Sequence, residues 1–178
     1  MPIGVVTLLL TSGCAGPVPE PAASGSAAAG EAFFASEEEA VEAALAVYAE
    51  YAATADAIMA DGGASPERLE PFADEELYAS QLEGFELMQE QGARGTGTTD
   101  FAVHEWQQDP VLDRSGTLLA AYMCRDVSQI DVVGPDGTSI VANDRLEVIP
   151  TEVVWTISAE GVIRIAKDAP WQAENFCS

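Results

Sequence analysis

The hydrophobic period of this chain changes once, near Gly92, and that change constrains the fold more than any other feature. Before Gly92, apolar residues recur every third or fourth position, as one face of a helix requires. After Gly92 they alternate, as a strand with one buried face requires. Helices first and strands second predict an α+β domain, its helices segregated to one face of an antiparallel sheet.

The helical half carries its own punctuation. Ser36-Glu-Glu-Glu39 is a capping box, in which the Ser36 hydroxyl accepts from the Glu39 amide while the Glu39 carboxylate reaches back. Val41, Leu45, Tyr48, Ala52, Ala55 and Ile58 then share one face, and Gly62-Gly63 ends the helix. Ser65-Pro66-Glu67 starts a second helix, with Ser as cap and Pro at the first helical position, and Pro71 limits it to one or two turns. Asp74-Glu75-Glu76 caps a third, whose apolar face is Leu77 or Tyr78, Leu82, Phe85 and Met88.

In the strand half, Thr98 to Gln108 places Phe101 and Val103 on one face and Ala102, His104 and Trp106 on the other. Leu118 to Val133 is apolar on both faces, as for a central strand. Gly134-Pro-Asp-Gly137 is a turn signal. Val148 to Ser158 sets Val153, Trp155 and Ile157 on one face, and the Glu160-Gly161 turn leads into a hairpin partner over Val162 to Ala166. Gly92 to Thr99 lacks the Gly-Lys-Ser/Thr ending of a phosphate loop and runs from helix to strand, so it reads as a linker. The expectation is three N-terminal helices packed on a curved antiparallel sheet of about four strands, as a single domain over residues 33–178.

Ahead of that domain, Ile3 to Gly13 is an uncharged apolar run ending in small residues, followed by Cys14 and a Pro/Ala/Gly/Ser stretch to Gly30. The arrangement resembles the lipobox of a bacterial lipoprotein precursor. The resemblance implies a signal peptide over residues 1–13, lipidation of Cys14, and a flexible tether over residues 14–32. Residues 1–13 hold no Lys or Arg, although a leader opens with a positive segment. The lipoprotein reading therefore expects the translation start to lie upstream of Met1. The run is too short for a membrane-spanning helix, which takes ~20 apolar residues. The implied location is extracytoplasmic, anchored to the cell membrane by lipid.

Such a location is oxidising, and with Cys14 lipidated the remaining cysteines, Cys124 and Cys177, form an even pair that reads as one disulfide. Two cysteines and a single His cannot supply the four ligands of a structural zinc site, so no metal is expected. The net charge of −23 repels polyphosphates and anionic head groups, which excludes nucleic acid as a partner and leaves membrane contact to the lipid. No acidic segment has the ligand spacing of a calcium loop, and the acidity reads as solubility at an exposed cell surface.

Glu37-Glu-Glu-Ala-Val-Glu-Ala-Ala, Asp61-Gly-Gly-Ala64, Gly92-Ala-Arg-Gly-Thr-Gly97, Tyr122-Met-Cys-Arg-Asp-Val-Ser128, Asp144-Arg145, Trp171 and Phe176-Cys177 carry a further resemblance, spanning residues 33 to 177. In them the chain is similar to small actinobacterial lipoproteins of the nuclear transport factor two-like cone fold, the fold of ketosteroid isomerase and SnoaL-type cyclases. The resemblance implies that fold and a surface location, and it brings no catalytic residues and no cofactor.

Tyr122, Cys124, Asp126 and Ser128 fall on one strand face, which His104 shares if it turns to the same side. A Tyr donor with an Asp or His base in a dry cone is the composition of proton transfer beside a carbonyl. The same residues on an ordinary sheet simply hydrogen-bond to turns and neighbours, and Arg145 is then the expected ion-pair partner of Asp126. The reading taken is a noncatalytic surface module that binds a partner protein or small ligand at its cone. The alternative is a small enzyme or scavenger of an apolar ring compound using Tyr122, Asp126 and His104.

Overall fold

The computed structural model describes residues 32–177. The expected leader, the Cys14 lipidation site and nearly all of the tether lie outside the described residues. Helix α1 (Glu37–Ala60) begins as its capping box requires: the Ser36 hydroxyl accepts from the Glu39 amide at 3.2 Å. The Glu39 carboxylate reaches back to the Ala35 amide at 2.8 Å, one residue beyond the cap. Its buried stripe is Ala40, Ala44, Tyr48, Tyr51, Ala52 and Ile58, with Val41, Leu45 and Ala55 half-buried beside it. Alanines at 40 and 44 have almost no side chain to hold the first turns of the helix away from the sheet.

The expected second helix is not an α-helix. Pro66–Leu69 forms a single 3-10 turn, Ser65 in front of it is left-handed (φ 56°), and the Ser65 side chain makes no capping bond. Four residues before Pro71 cannot repay the cost of an α-helical nucleus. The turn is held instead by Leu69, which is fully buried. Helix α2 (Glu75–Gln91) is capped by Asp74, whose carboxylate accepts from the Leu77 amide at 2.9 Å, and ends at left-handed Gly92. Only Leu77 and Phe85 are buried on it. The domain thus has two α-helices and one 3-10 turn where three helices were expected.

Six strands follow: β1 (Arg94–Thr96), β2 (Asp100–Trp106), β3 (Gly116–Asp126), β4 (Asp131–Val133), β5 (Val148–Ile157) and β6 (Ile163–Pro170). β2, β3, β5 and β6 pair antiparallel in that order, giving the expected four-stranded meander with β3 inside it. Two sequence expectations change here. Gly92 to Thr99 is not wholly linker, because Arg94 to Thr96 pairs with Asp131 to Val133 as a separate two-stranded ribbon. Leu118 to Val133 is correspondingly not one strand. Asp126 accepts from the Ser128 amide at 2.8 Å and Ile130 donates to the Val127 carbonyl at 3.0 Å, which turns the chain out of the main sheet. Gly97 enables the ribbon's exit: it holds φ 86°, and a Cβ there would overlap the Gln129 carbonyl.

The core lies between α1 and the inner sheet face. Phe101 and Val103 (β2), Ala121 and Met123 (β3), Val153, Trp155 and Ile157 (β5) and Ile165 (β6) meet the α1 stripe there. Tyr48 stands edge-on to Phe101, with ring centroids 4.7 Å apart, and 6.0 Å from Trp155. A bulge between Val103 and Glu105 puts Trp106 opposite Ala121, beside Trp155, so it leaves the face it was expected to share with His104.

Candidate functional site

The residues singled out in the sequence come together, but on the outer face of the sheet. Tyr122 and Cys124 alternate with fully buried Ala121 and Met123, so they point away from the helices. The C-terminal segment crosses this outer face. Cys177 is bonded to Cys124, with Cα atoms 5.6 Å apart, as the cysteine count anticipated. Phe176 stacks on His104 (4.7 Å) and lies 5.4 Å from Tyr122, while Trp171 meets Tyr122 edge-on at 4.8 Å. His104 and Tyr122 are therefore packing partners of the tail. Asp126 is half-buried at the end of β3, where its carboxyl is held below the usual carboxylate range by the hydroxyl and amide of Ser128.

Arg145 is not its partner. Its guanidinium Nη2 donates to the Val127 carbonyl at 3.1 Å and to the Ile130 carbonyl. These bonds tie the long β4–β5 connection to the turn after β3. The Asp126–Arg145 ion pair expected from sequence is absent because the Asp126 carboxylate is taken by its own turn and the Arg145 head by backbone oxygens.

On the opposite face, between α1, α2 and the end of the sheet, lies a cavity of about 810 Å³. Its walls include Ala55 and Met59 of α1, Phe85 of α2, Ile149 of β5, and Ile130; Arg145 and the 58 % exposed Leu146 border it from the β4–β5 connection. Tyr48, Tyr51, Arg125 and Asp168 line it as a polar group. Arg125 is inward because it alternates with Cys124 on β3, and Asp168 is inward on β6. Arg125 Nη1 donates to Asp168 Oδ2 at 3.1 Å, with the Asp168 side chain 1 % exposed and that of Arg125 24 %.

Burial pushes the Asp168 carboxyl up from its ordinary value, and the nearby Arg125 guanidinium and the Tyr51 and Tyr48 hydroxyls pull it back only in part. Burial, followed by the Asp168 charge, also raises Tyr48 and Tyr51, so both phenols stay protonated. Tyr48 Oη, Arg125 Nε and Asp168 Oδ1 are buried beside one another, but none makes a well-formed hydrogen bond to a partner among the described residues. Buried polar groups are paired in the large majority of cases, so three unpaired atoms in one cluster call for an explanation.

At the α1 wall, Asp56 accepts from both the amide and the hydroxyl of Thr99, at 2.7 and 2.8 Å, and so is already occupied. The cavity is lined by no His or Cys, and Tyr122, Asp126 and His104 do not border it. Among the described residues no group of three His, Cys, Asp or Glu side chains could hold a metal ion, and no helix is long and apolar enough to cross a membrane. A second hollow of about 780 Å³, between the 3-10 turn, the start of α2 and the β5–β6 hairpin, has none of the unpartnered polar atoms among its lining residues.

The sequence reading gave no site role to Tyr48, Tyr51, Arg125 or Asp168. Tyr48 was visible as part of the α1 stripe, and Arg125 sat between two singled-out neighbours, but Asp168 lies past Ala166, where the last strand was expected to stop. The available signal was the strand parity itself: if Tyr122 and Asp126 share one face, Arg125 belongs to the other. No family model, no curated protein and no solved structure matches this chain.

Proposed function

We propose that the protein is a noncatalytic binding module, lipid-anchored through Cys14 on the outside of the cell membrane, that takes a small ligand into the cavity between its helices and sheet. The observation that carries the reading is the cavity, about 810 Å³ and within the usual range for small-molecule sites, with largely apolar walls and a few convergent polar groups. The order of elements, a long first helix over the inner face of a four-stranded meander, supports assignment to the nuclear transport factor two-like cone fold. Binding fits the site better than catalysis. Asp168, its one buried carboxylate, is paired with Arg125, and the Asp56 carboxylate at its wall is taken up by both the amide and the hydroxyl of Thr99.

The test uses N-phenyl-1-naphthylamine, an uncharged fluorophore, with the wild-type domain and an Ala55→Trp variant whose indole occupies the cavity. Saturable one-site fluorescence enhancement on the wild type, lost in the variant, is expected. Enhancement that fails to saturate, or that survives Ala55→Trp, overturns the reading. The anchor is tested separately by expressing the full gene with Cys14 or with Ser in its place. Wild type is expected in the membrane fraction with acyl mass on Cys14; equal soluble fractions without acyl mass refute lipidation.

A further inference from the structure

The three unpartnered atoms of the polar cluster define what is missing from it. Arg125 Nε can only donate, an ionised Asp168 Oδ1 can only accept, and the Tyr48 hydroxyl can do either. One group that accepts and donates from adjacent atoms would satisfy both ends of this set. Charge narrows the choice further. Arg125 and Asp168 cancel one another, Asp56 is taken up by Thr99, and Arg145 stands at the edge with Nη2 spent on two carbonyls. An anionic head group would be set against a carboxylate already short of hydration, in a protein of net charge −23. An ammonium would face the Arg125 guanidinium, which alone of the pair is partly exposed.

We propose, resting on the reading of the cavity as a binding site, that its ligand is an uncharged amphiphile with an amide-like or hydroxyl polar end seated at Tyr48, Arg125 and Asp168. The apolar body lies along Ala55, Met59, Phe85 and Ile149. The polar end meets the partly exposed Arg125 head first, and the Tyr48 and Asp168 side chains, whose unpartnered atoms are closed to solvent, must turn toward it.

Three probes with one ten-carbon chain and different ends separate the possibilities by isothermal titration: decanamide, decanoate and decylammonium. Decanamide is expected to bind about ten-fold or more tightly than either ion, because each ion must shed its hydration against an unfavourable partner. Tyr48→Phe removes one unpartnered hydroxyl, so it should leave the melting temperature unchanged or higher while weakening decanamide about three- to ten-fold. Equal binding of all three probes, or insensitivity of decanamide to Tyr48→Phe, overturns the polar-end assignment and leaves the cavity reading standing. Tighter binding of decanoate would instead assign the site to Arg125 and Arg145 acting on an anion. Binding of none of the three overturns the cavity reading as well.

Discussion

Breaking the Cys124–Cys177 bond should release the outer-face tail and destabilise the domain by an amount that can be worked out in advance. The bond spans a sequence separation of 53 residues that includes β5 and β6, so it restrains a large part of the unfolded chain. The chain-entropy relation for a loop of that size gives roughly 4 kcal/mol. In a domain of about this length, that corresponds to a fall in melting temperature of roughly 8 to 16 °C. The perturbation is Cys124→Ser/Cys177→Ser, which leaves neither partner of the bond behind as an unpaired thiol. Urea unfolding followed by circular dichroism supplies the midpoint and the slope. If the bond acts on the unfolded state, the slope should rise in the double variant, because the freed chain exposes more surface on unfolding. Loss of the tail's packing should accompany it, since Phe176, which lies against Tyr122 and His104, is the residue next to Cys177. Trp171 fluorescence should shift to the red in the folded double variant. A loss below about 1 kcal/mol would refute the chain-entropy argument. A large loss with an unchanged slope would refute it differently, by placing the stabilisation in native packing.

Gly97→Ala should cost more than about 2 kcal/mol, read by the same urea titration, because the new Cβ meets the Gln129 carbonyl at a φ of 86°. Asp126→Asn should lower the melting temperature slightly at neutral pH. Its folded carboxyl lies below the ordinary value, so the contribution is present above that range and disappears as pH falls through the folded value; a deficit that persisted in acid would contradict this. Asp168 should behave in the opposite sense. Its folded carboxyl is raised, so the protonated form favours the fold, and the stability of wild type relative to Asp168→Asn should fall as pH rises out of the carboxylate range. Thermal melts of the two proteins across that range check the slope, and a flat or rising difference would show that the Arg125 pairing outweighs desolvation.

What the residues alone determined was whatever depends on near neighbours in the chain. The Ser36–Glu39 and Asp74 caps and the left-handed Gly92 stop rest on contacts within a few positions, and the outline of the β-meander shows in the alternation and turn residues along each strand. The disulfide followed from counting under the lipoprotein reading, which sets Cys14 aside and leaves a single pair. Tertiary structure decided whatever needed a second segment. Strand periodicity places Tyr122, Cys124 and Asp126 on one face, but nothing in a period of two says whether helices or a tail will cover that face. Four residues from Pro66 make a 3-10 turn because buried Leu69 anchors them there. Arg94 to Thr96 becomes a strand because Asp131 to Val133 arrives beside it. The polar cluster is the clearest case. Tyr48, Arg125 and Asp168 are spread over much of the chain and meet only when α1 closes over β3 and β6, and only there does burial give Asp168 the properties on which its proposed role depends.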